Sequence, residues 1–291
     1  MEKIVILLMA VMVCVTAMGK VKEKELAIEN GSVKLPGTLC IAGNKKAPIV
    51  VFVHGSGPND RDETIGPNKP FKEIAEGLTK KGISSYRYDK RTMLYKGGAD
   101  TITFMEETVD DAVAAVKMLN TMGYKRIFVL GHSQGGYCAP LIAQKAEGMI
   151  EGVIIMSGNT RNLLDMIDEQ LEYIKGVQGL SNDMIDKYKA QMKAQLPKKY
   201  IEFDEAYNPG EVIASLKPIK WLVMQGGHDY QVTKVDFDEW KRILGDRAQY
   251  YYNEYLDHLM RKQPEMAKPQ DYMMAGDVCE DVIMEIITFL K

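Results

Sequence analysis

Short apolar runs alternate with amphipathic segments along most of the chain. The run from Ile49 to Val53 is continuously apolar, which is typical of a strand buried on both faces of a sheet. Pro70 then begins a segment with apolar residues at helical spacing, and Gly82 ends it. Further strands are predicted at 83–88, 126–130, 153–156, 221–224 and 249–255, and further helices at 106–122, after the turn at 133, and at 278–290. This alternation predicts a mostly parallel sheet with helices on both faces, an α/β fold.

Two local features qualify this pattern. Near the N-terminus, Leu26–Glu29 and Val33–Ile41 flank Asn30 and Gly31, a dipeptide typical of hairpin turns. Pro140 falls inside the helix predicted after residue 133. Proline lacks the backbone N–H that a helix needs, so we expect it to kink or shorten that helix.

The alternation of strand and helix is interrupted at residues 160–217. Two predicted helices there, at about 161–175 and 182–196, are polar and rich in Met and Tyr, and prolines punctuate the end of the segment. We interpret it as a helical lid inserted over the sheet. The core of the domain would then consist of residues 20–159 and 218–291.

The N-terminal segment has a different character from the rest of the chain. Lys3 precedes an apolar run of about fifteen residues that ends at Met18. Such a run is short for a membrane span and suits the core of a signal peptide. Small residues occupy the two positions that a signal peptidase reads. We predict a signal peptide over residues 1–19, cleavage before Lys20 and export to the periplasm or medium, with an uncleaved membrane anchor as the alternative.

Composition and charge exclude several classes of binding partner and of stabilising group. The chain has 291 residues, of which 46% are hydrophobic and 26% charged, so a large core can be buried. A net charge of −3 gives no broad attraction to nucleic acid. Beyond the predicted signal peptide the cysteines are Cys40, Cys138 and Cys279, which do not form a disulfide framework, although one bridge remains open. No Cys or His pair has the spacing of zinc ligands, and nothing in the sequence indicates an oligomeric state.

The run Gly131-His132-Ser133-Gln134-Gly135 carries the sharpest chemical signal. It follows a predicted strand and opens a predicted helix, which is the setting of a nucleophile elbow. The glycines allow a tight corner that holds the serine hydroxyl clear of the backbone. The sequence therefore predicts Ser133 as a nucleophile.

A serine nucleophile needs a base, and the base needs an orienting acid. The chain has four histidines, and His258 alone lies downstream of a plausible acid, in the order serine, acid, histidine. Asp229 directly follows a buried strand, which places it at the same edge of the sheet as Ser133. Asp257 is next to His258 in sequence and poorly placed to face it, and Asp165 is a weaker candidate.

An acyl-transfer site also needs two N–H groups that bind an oxyanion. One is predicted to come from Gln134, at the start of the helix. The other should come from the loop that begins at His54, with Ser56 as the preferred donor and Gly55 or Gly57 as alternatives. The two glycines let the backbone approach a substrate closely.

These motifs resemble those of α/β hydrolases in their order and spacing, over roughly residues 24–291. The segments that carry the resemblance are His54–Pro58, Gly131–Gly135, Gly226–Asp229 and Asp257–His258. They look most similar to bacterial carboxylesterases and serine aminopeptidase-like hydrolases. The run Gly55–Asp62 fits the esterase-like members. The resemblance implies a triad of Ser133, Asp229 and His258.

A charged cluster lies on two loops at the same predicted edge. Its members are Asp60, Arg61, Asp62, Arg87, Asp89, Lys90 and Arg91. Opposite charges alternate closely in it. We therefore favour an ion-pair network that fixes the oxyanion loop over a substrate-binding patch.

The leading functional hypothesis is an esterase that acylates Ser133 and then hydrolyses the acyl-enzyme, with a small-molecule acyl substrate and neither cofactor nor metal. A serine aminopeptidase is one alternative. That activity needs acidic lid residues to bind the free amine of the substrate, and such residues are present. The candidates are Glu169, Glu172, Glu202, Asp204 and Glu205. An acyl thioesterase could use the same machinery. A catalytically silent binding protein is disfavoured because all three triad residues are present.

Overall fold

The computed structural model describes residues 22–94 and 102–291, so the predicted signal peptide lies outside the described residues. Within that part of the chain, eight strands form one sheet and two more form a separate hairpin. The strands are β1 (Lys22–Glu25), β2 (Ile28–Asn30), β3 (Val33–Leu35), β4 (Gly37–Ile41), β5 (Ile49–Val53), β6 (Ser84–Tyr88), β7 (Ile127–His132), β8 (Gly152–Met156), β9 (Lys220–Gly226) and β10 (Ala248–Asn253).

The large sheet is mostly parallel, which confirms the predicted fold class. Its strand order is β1-β4-β6-β5-β7-β8-β9-β10; β4 runs antiparallel to its neighbours β1 and β6, and β6, β5, β7, β8, β9 and β10 are parallel to one another. The carboxyl ends of parallel strands meet at one edge of a sheet. The loops after β5, β7, β9 and β10 therefore lie near one another, and these loops carry the predicted site residues.

Helices cover both faces of this sheet. The α-helices of the described residues are α1 (Pro70–Lys80), α2 (Arg91–Leu94), α3 (Asp111–Thr121), α4 (Gln134–Lys145), α5 (Leu163–Gln178), α6 (Asn182–Gln195), α7 (Lys198–Ala206), α8 (Pro209–Ser215), α9 (Lys234–Leu244) and α10 (Glu280–Leu290). Side chains alternate along β5. Ile49 and Val51 join the core under α3, α4 and α9, whereas Val50 and Phe52 join the core under α1 and α10. Burial on both faces explains why β5 is apolar throughout.

The helices α5 to α8 lie between the adjacent strands β8 and β9, inside the segment predicted as an insertion. Aromatic contacts attach them to the core, since the Phe104 ring lies 4.5 Å from the Phe203 ring and 5.2 Å from the Tyr200 ring. An ion pair of 2.7 Å between Arg161 and the buried Asp236 holds the start of the insertion. Among the described residues, no helix has the length and apolar character needed to cross a membrane.

Several local predictions were wrong. Pro36, which cannot donate to a strand ladder, splits the second predicted hairpin strand into β3 and β4, although the turn itself forms with Gly31 at φ 62°. The prolines that were expected to punctuate the end of the insertion instead precede or begin further helices, since Pro197 is the N-cap of α7 and Pro209 is the first residue of α8. The helix α9 was not predicted. Pro140 does not shorten α4, because that helix is buried almost throughout and its packing outweighs one missing hydrogen bond.

Candidate active site

Ser133 occupies a strained turn between β7 and α4. Its backbone has φ 51° and ψ −119°, a conformation that residues other than glycine rarely adopt. A Cβ on Gly131 would lie 2.2 Å from the Gly135 carbonyl oxygen, and a Cβ on Gly135 would lie 2.2 Å from the Val53 carbonyl oxygen. Both positions therefore require glycine. The corner has the geometry expected of a nucleophile elbow.

Asp229 and His258 form a buried pair at the same edge of the sheet. His258 Nδ1 lies 2.7 Å from Asp229 Oδ2. The other carboxylate oxygen accepts hydrogen bonds from the N–H groups of Gln231 and Val232, at 2.8 and 3.0 Å. Because the carboxylate is an acceptor, His258 Nδ1 carries the proton, and the lone pair lies on Nε2. This is the arrangement that a general base requires.

The two other candidate acids are engaged elsewhere. Asp257 pairs with Arg261 at 2.7 Å and accepts from the Leu259 N–H. Asp165 lies in the first turn of α5, where its backbone N–H and its carboxylate both contact Asn162. Neither carboxylate is paired with a histidine.

The predicted oxyanion residues share a small cavity with the serine. Ser56, Ser133 and Gln134 line a space of about 50 Å³. Among the described residues, neither the Ser56 N–H nor the Gln134 N–H has an acceptor. Gly55 brings its backbone close to the nucleophile, since a Cβ there would lie 3.2 Å from Ser133 Cβ. The insertion closes the cavity with Leu163, Met166, Gln170, Tyr200 and Asp204.

Tyr200 of α7 contacts the predicted oxyanion residue directly. Gln134 Nε2 donates a hydrogen bond to the Tyr200 hydroxyl. Met166 also lines the cavity, whereas Met184 and Met192 are exposed on α6. The methionines of the insertion therefore do not form one continuous apolar cover.

Sequence reasoning missed a buried ion pair beneath the site, between Glu63 and His132. Glu63 Oε2 lies 2.9 Å from His132 Nδ1, and both side chains are almost fully buried. Glu63 Oε1 accepts from the Gly55 N–H at 2.7 Å, and His132 Nε2 lies 2.9 Å from the His258 carbonyl oxygen. Each imidazole nitrogen thus lies 2.9 Å from an acceptor oxygen, which favours an imidazolium, although the Nδ1–Oε2 approach is an ion-pair contact without hydrogen-bond geometry. The pair links the end of β7, which carries His132, to the loops that carry Gly55 and His258.

The pKa values of this pair agree with the assignment. Burial by itself would raise the pKa of Glu63 and lower that of His132. Their mutual attraction and the Gly55 N–H outweigh burial, so the pKa of Glu63 is lowered and that of His132 is raised. The sequence signal was an acidic residue directly after the Gly55–Asp62 run.

His54 and Gly57 lie in the predicted oxyanion loop, and each has a distinct structural role there. Burial lowers the pKa of His54 to about 4, so its ring is neutral near pH 7. The ring packs 5.2 Å from Phe71 and 5.3 Å from Tyr88. Gly57 has φ 84°, a left-handed conformation that favours glycine. His54 is therefore part of the packing beneath the loop.

The charged cluster forms the expected ion-pair network. Its pairs include Arg61 with Asp89, Arg87 with Asp62, and Arg91 with Asp111. Lys90 pairs with Glu107 at 3.6 Å and also contacts the predicted oxyanion loop, where its Nζ donates to the Gly55 carbonyl oxygen at 2.8 Å. The contacts support the ion-pair interpretation of this cluster rather than a substrate-binding patch.

Metal-binding groups and disulfides are absent from residues 22–94 and 102–291. No group of three or more His, Cys, Asp or Glu side chains there could hold a metal ion. Cys40, Cys138 and Cys279 are buried and unbridged. Catalysis without a cofactor stays a prediction.

The sheet, the inserted helices and the elbow define an α/β hydrolase. The profile of the family described as serine aminopeptidase, S33, matches residues 44–229. Esterase EstD of Thermotoga maritima is 37% identical over 284 residues, covering 92% of this chain and 67% of that protein. The chain belongs to this family of α/β hydrolases, and it is a carboxylesterase-like hydrolase.

Solved structures with low sequence identity share the fold. An esterase of Pyrococcus furiosus superposes with a TM-score of 0.63 at 20% identity, over 93% of this chain and 90% of that one. Est1E of Butyrivibrio proteoclasticus gives a TM-score of 0.62 at 15% identity, over 91% and 98% of the two chains. The sheet and its helices are therefore common to proteins that differ widely in sequence.

Proposed function

We propose that this protein hydrolyses carboxylic esters through an acyl-enzyme on Ser133. The observation that carries the proposal is the buried Asp229–His258 pair at 2.7 Å, on the same sheet edge as a serine in a strained elbow. The similarity to Esterase EstD supports the ester as substrate class. A small-molecule ester fits a cavity of limited volume.

The reaction follows from the protonation state of the pair. Ser133 Oγ attacks the ester carbonyl while His258 Nε2 takes the hydroxyl proton. Asp229 holds the ring and stabilises the imidazolium. The oxyanion of the tetrahedral intermediate accepts from the N–H groups of Ser56 and Gln134. The alcohol leaves with the proton from His258, and water then repeats the sequence to release the acid.

The acidic residues of the insertion favour an ester over an aminoacyl substrate. Of the five candidates for binding an amine, Asp204 lines the cavity. Its Oδ2 accepts from the Leu163 N–H at 2.6 Å. Burial raises the pKa of Asp204 to about 6, so the carboxyl is still mostly ionised at pH 7, but the Leu163 N–H already engages its Oδ2. Glu169 is paired with Arg161.

The insertion, residues 160–217, is proposed to act as a lid that sets substrate preference. Its residues Met166 and Tyr200 line the cavity that contains Ser133, and its helices pack on the core through Phe104. Because Asp229 and His258 lie outside it, the chemistry should not depend on the identity of the insertion.

Three substitutions test the catalytic assignment. Ser133→Ala and His258→Ala remove the nucleophile and the base, so each should lower kcat by a factor on the order of 10⁶. Asp229→Asn leaves both groups in a poorer orientation and should cost less, about 10⁴. These losses should not add when the substitutions are combined, because the three residues act as one unit.

The matched control is His228→Ala. His228 is half-buried, hydrogen bonds to the Gln263 carbonyl oxygen and belongs to the loop beside Asp229. It should retain kcat within a few-fold of the wild type. The measurement is turnover of p-nitrophenyl esters of increasing chain length, beside aminoacyl amides and acyl thioesters. A folded His258→Ala variant with nearly normal turnover would refute the proposal, and faster hydrolysis of aminoacyl amides would favour the aminopeptidase.

A further inference from the structure

The oxyanion loop is held on both sides of Gly55 by buried charges. The Gly55 N–H donates to Glu63 Oε1 at 2.7 Å. The Gly55 carbonyl oxygen accepts from Lys90 Nζ at 2.8 Å and from Asn59 Nδ2 at 3.3 Å. The Gly55 carbonyl belongs to the same peptide bond as the Ser56 N–H.

We propose that Lys90 is a positioning residue that aims and polarises the Ser56 N–H of the oxyanion hole. The inference rests on the proposed function, since it assigns a role within the same reaction. The peptide between Gly55 and Ser56 is trans and planar, so its C=O and N–H point in opposite directions. A donor that fixes the Gly55 carbonyl oxygen on one side therefore directs the Ser56 N–H to the other side, and Ser56 lines the cavity that contains Ser133.

The burial of Lys90 makes this contact stronger than a surface hydrogen bond. The side chain is 1% exposed, and it forms an ion pair with Glu107 Oε1 at 3.6 Å. A cation in a dry environment withdraws electron density from the carbonyl oxygen and makes the N–H of the same peptide a better donor. The stronger donor matters most when negative charge develops opposite the N–H. It therefore stabilises the transition state more than the bound ester.

Glu107 extends the arrangement to the second predicted donor. Its Oε1 also accepts from Gln134 Nε2 at 3.3 Å, and Gln134 supplies the other N–H of the oxyanion hole. The Lys90–Glu107 pair therefore contacts the peptide that carries the Ser56 N–H, through the Gly55 carbonyl oxygen, and the side chain of Gln134. This explains why a lysine with almost no exposure is placed beneath the loop.

The test is the substitution Lys90→Met, which keeps the length of the side chain and removes the charge. We expect kcat to fall about 10- to 100-fold with KM nearly unchanged, since loss of an entire oxyanion donor costs about 10²- to 10³-fold. The affinity for an acyl trifluoromethyl ketone, which forms a tetrahedral oxyanion on serine, should fall by the same factor as kcat/KM. Lys90→Arg, which keeps a charge, should lose less than Lys90→Met.

A merely structural role would give a different result. Asp111→Asn is the matched control, because it breaks the neighbouring buried pair with Arg91 and touches no atom of the oxyanion loop. It should lower stability and leave ketone affinity unchanged. Lys90→Gln carries the same prediction as Lys90→Met and serves if the latter does not fold. Ketone affinity and kcat within threefold of the wild type in either folded variant would overturn the inference.

A fluorophosphonate probe separates this failure from a failure of the proposed function. If the wild-type protein is labelled on Ser133 and the Lys90 variants keep wild-type ketone affinity, the inference about Lys90 alone is wrong. If Ser133 of the wild type is not labelled, the proposed acyl-enzyme is wrong and the inference falls with it.

Discussion

The buried Glu63–His132 pair gives a prediction that can be worked out in detail. Removing one partner of a buried ion pair leaves the other charge without compensation and costs about 3–5 kcal/mol. In Glu63→Gln the new amide oxygen can still accept from the Gly55 N–H, so we expect a loss near the lower end, about 3 kcal/mol of unfolding free energy. Activity should fall as well, since the pair joins the loops around Ser133.

The loss should depend on pH in a direction set by the two pKa shifts. The pKa of Glu63 is lowered in the folded state, so its contribution is present above an unfolded value of about 4.3 and is lost as pH falls. The pKa of His132 is raised, so its contribution is present below about 6.5 and is lost as pH rises through the folded value. The pair therefore stabilises the protein most between about pH 4.5 and 6.5.

Urea unfolding followed by circular dichroism at pH 6, 7.5 and 9 measures this effect. The difference between wild type and Glu63→Gln should be largest at pH 6 and smaller at pH 9. Asp111→Asn is the control, because Asp111 is equally buried but pairs with Arg91, which does not titrate in this range. Equal unfolding free energies at pH 6, or a difference that does not change with pH, would show that His132 is not held as an imidazolium.

Two further predictions concern the insertion and the N-terminus. Tyr200→Ala removes a ring from the cavity wall, so it should raise kcat/KM for bulky acyl esters relative to acetyl esters by about tenfold. Labelling of Ser133 by a fluorophosphonate should persist in this variant. An unchanged preference across an ester series would contradict the lid proposal. We also expect protein from the native host to begin near Lys20 after export, and N-terminal sequencing that finds Met1 in a soluble cytoplasmic fraction would contradict this.

Much of the fold could be predicted because its signals are local. Strands buried on both faces are continuously apolar, and β5 was found on that basis. The missed helix α9 also carries a signal, since Phe237, Trp240 and Leu244 stand at helical spacing and are buried. Pro197 and Pro209 show the limit of reading prolines as breaks, because the same residue favours the start of a helix.

The residues of the candidate site likewise divide into those with a local sequence signal and those without one. Ser133, Asp229 and His258 were proposed from short motifs, each of which follows a strand; chain order selected the histidine, and the position directly after a buried strand selected the acid. Glu63 and Lys90 have no such motif. Their partners lie 69 residues away, from Glu63 to His132, and 35 residues away, from Lys90 to Gly55, so the contacts exist only after the sheet edge has assembled.

The most direct test of the central claim is the site of covalent labelling by a fluorophosphonate, mapped by peptide mass spectrometry and compared with residual esterase activity. We predict one label per chain, on Ser133, with loss of activity in proportion to labelling and no label in Ser133→Ala. A label on a different residue that abolishes activity, or a fully labelled Ser133 in a protein that still hydrolyses esters, would contradict the account.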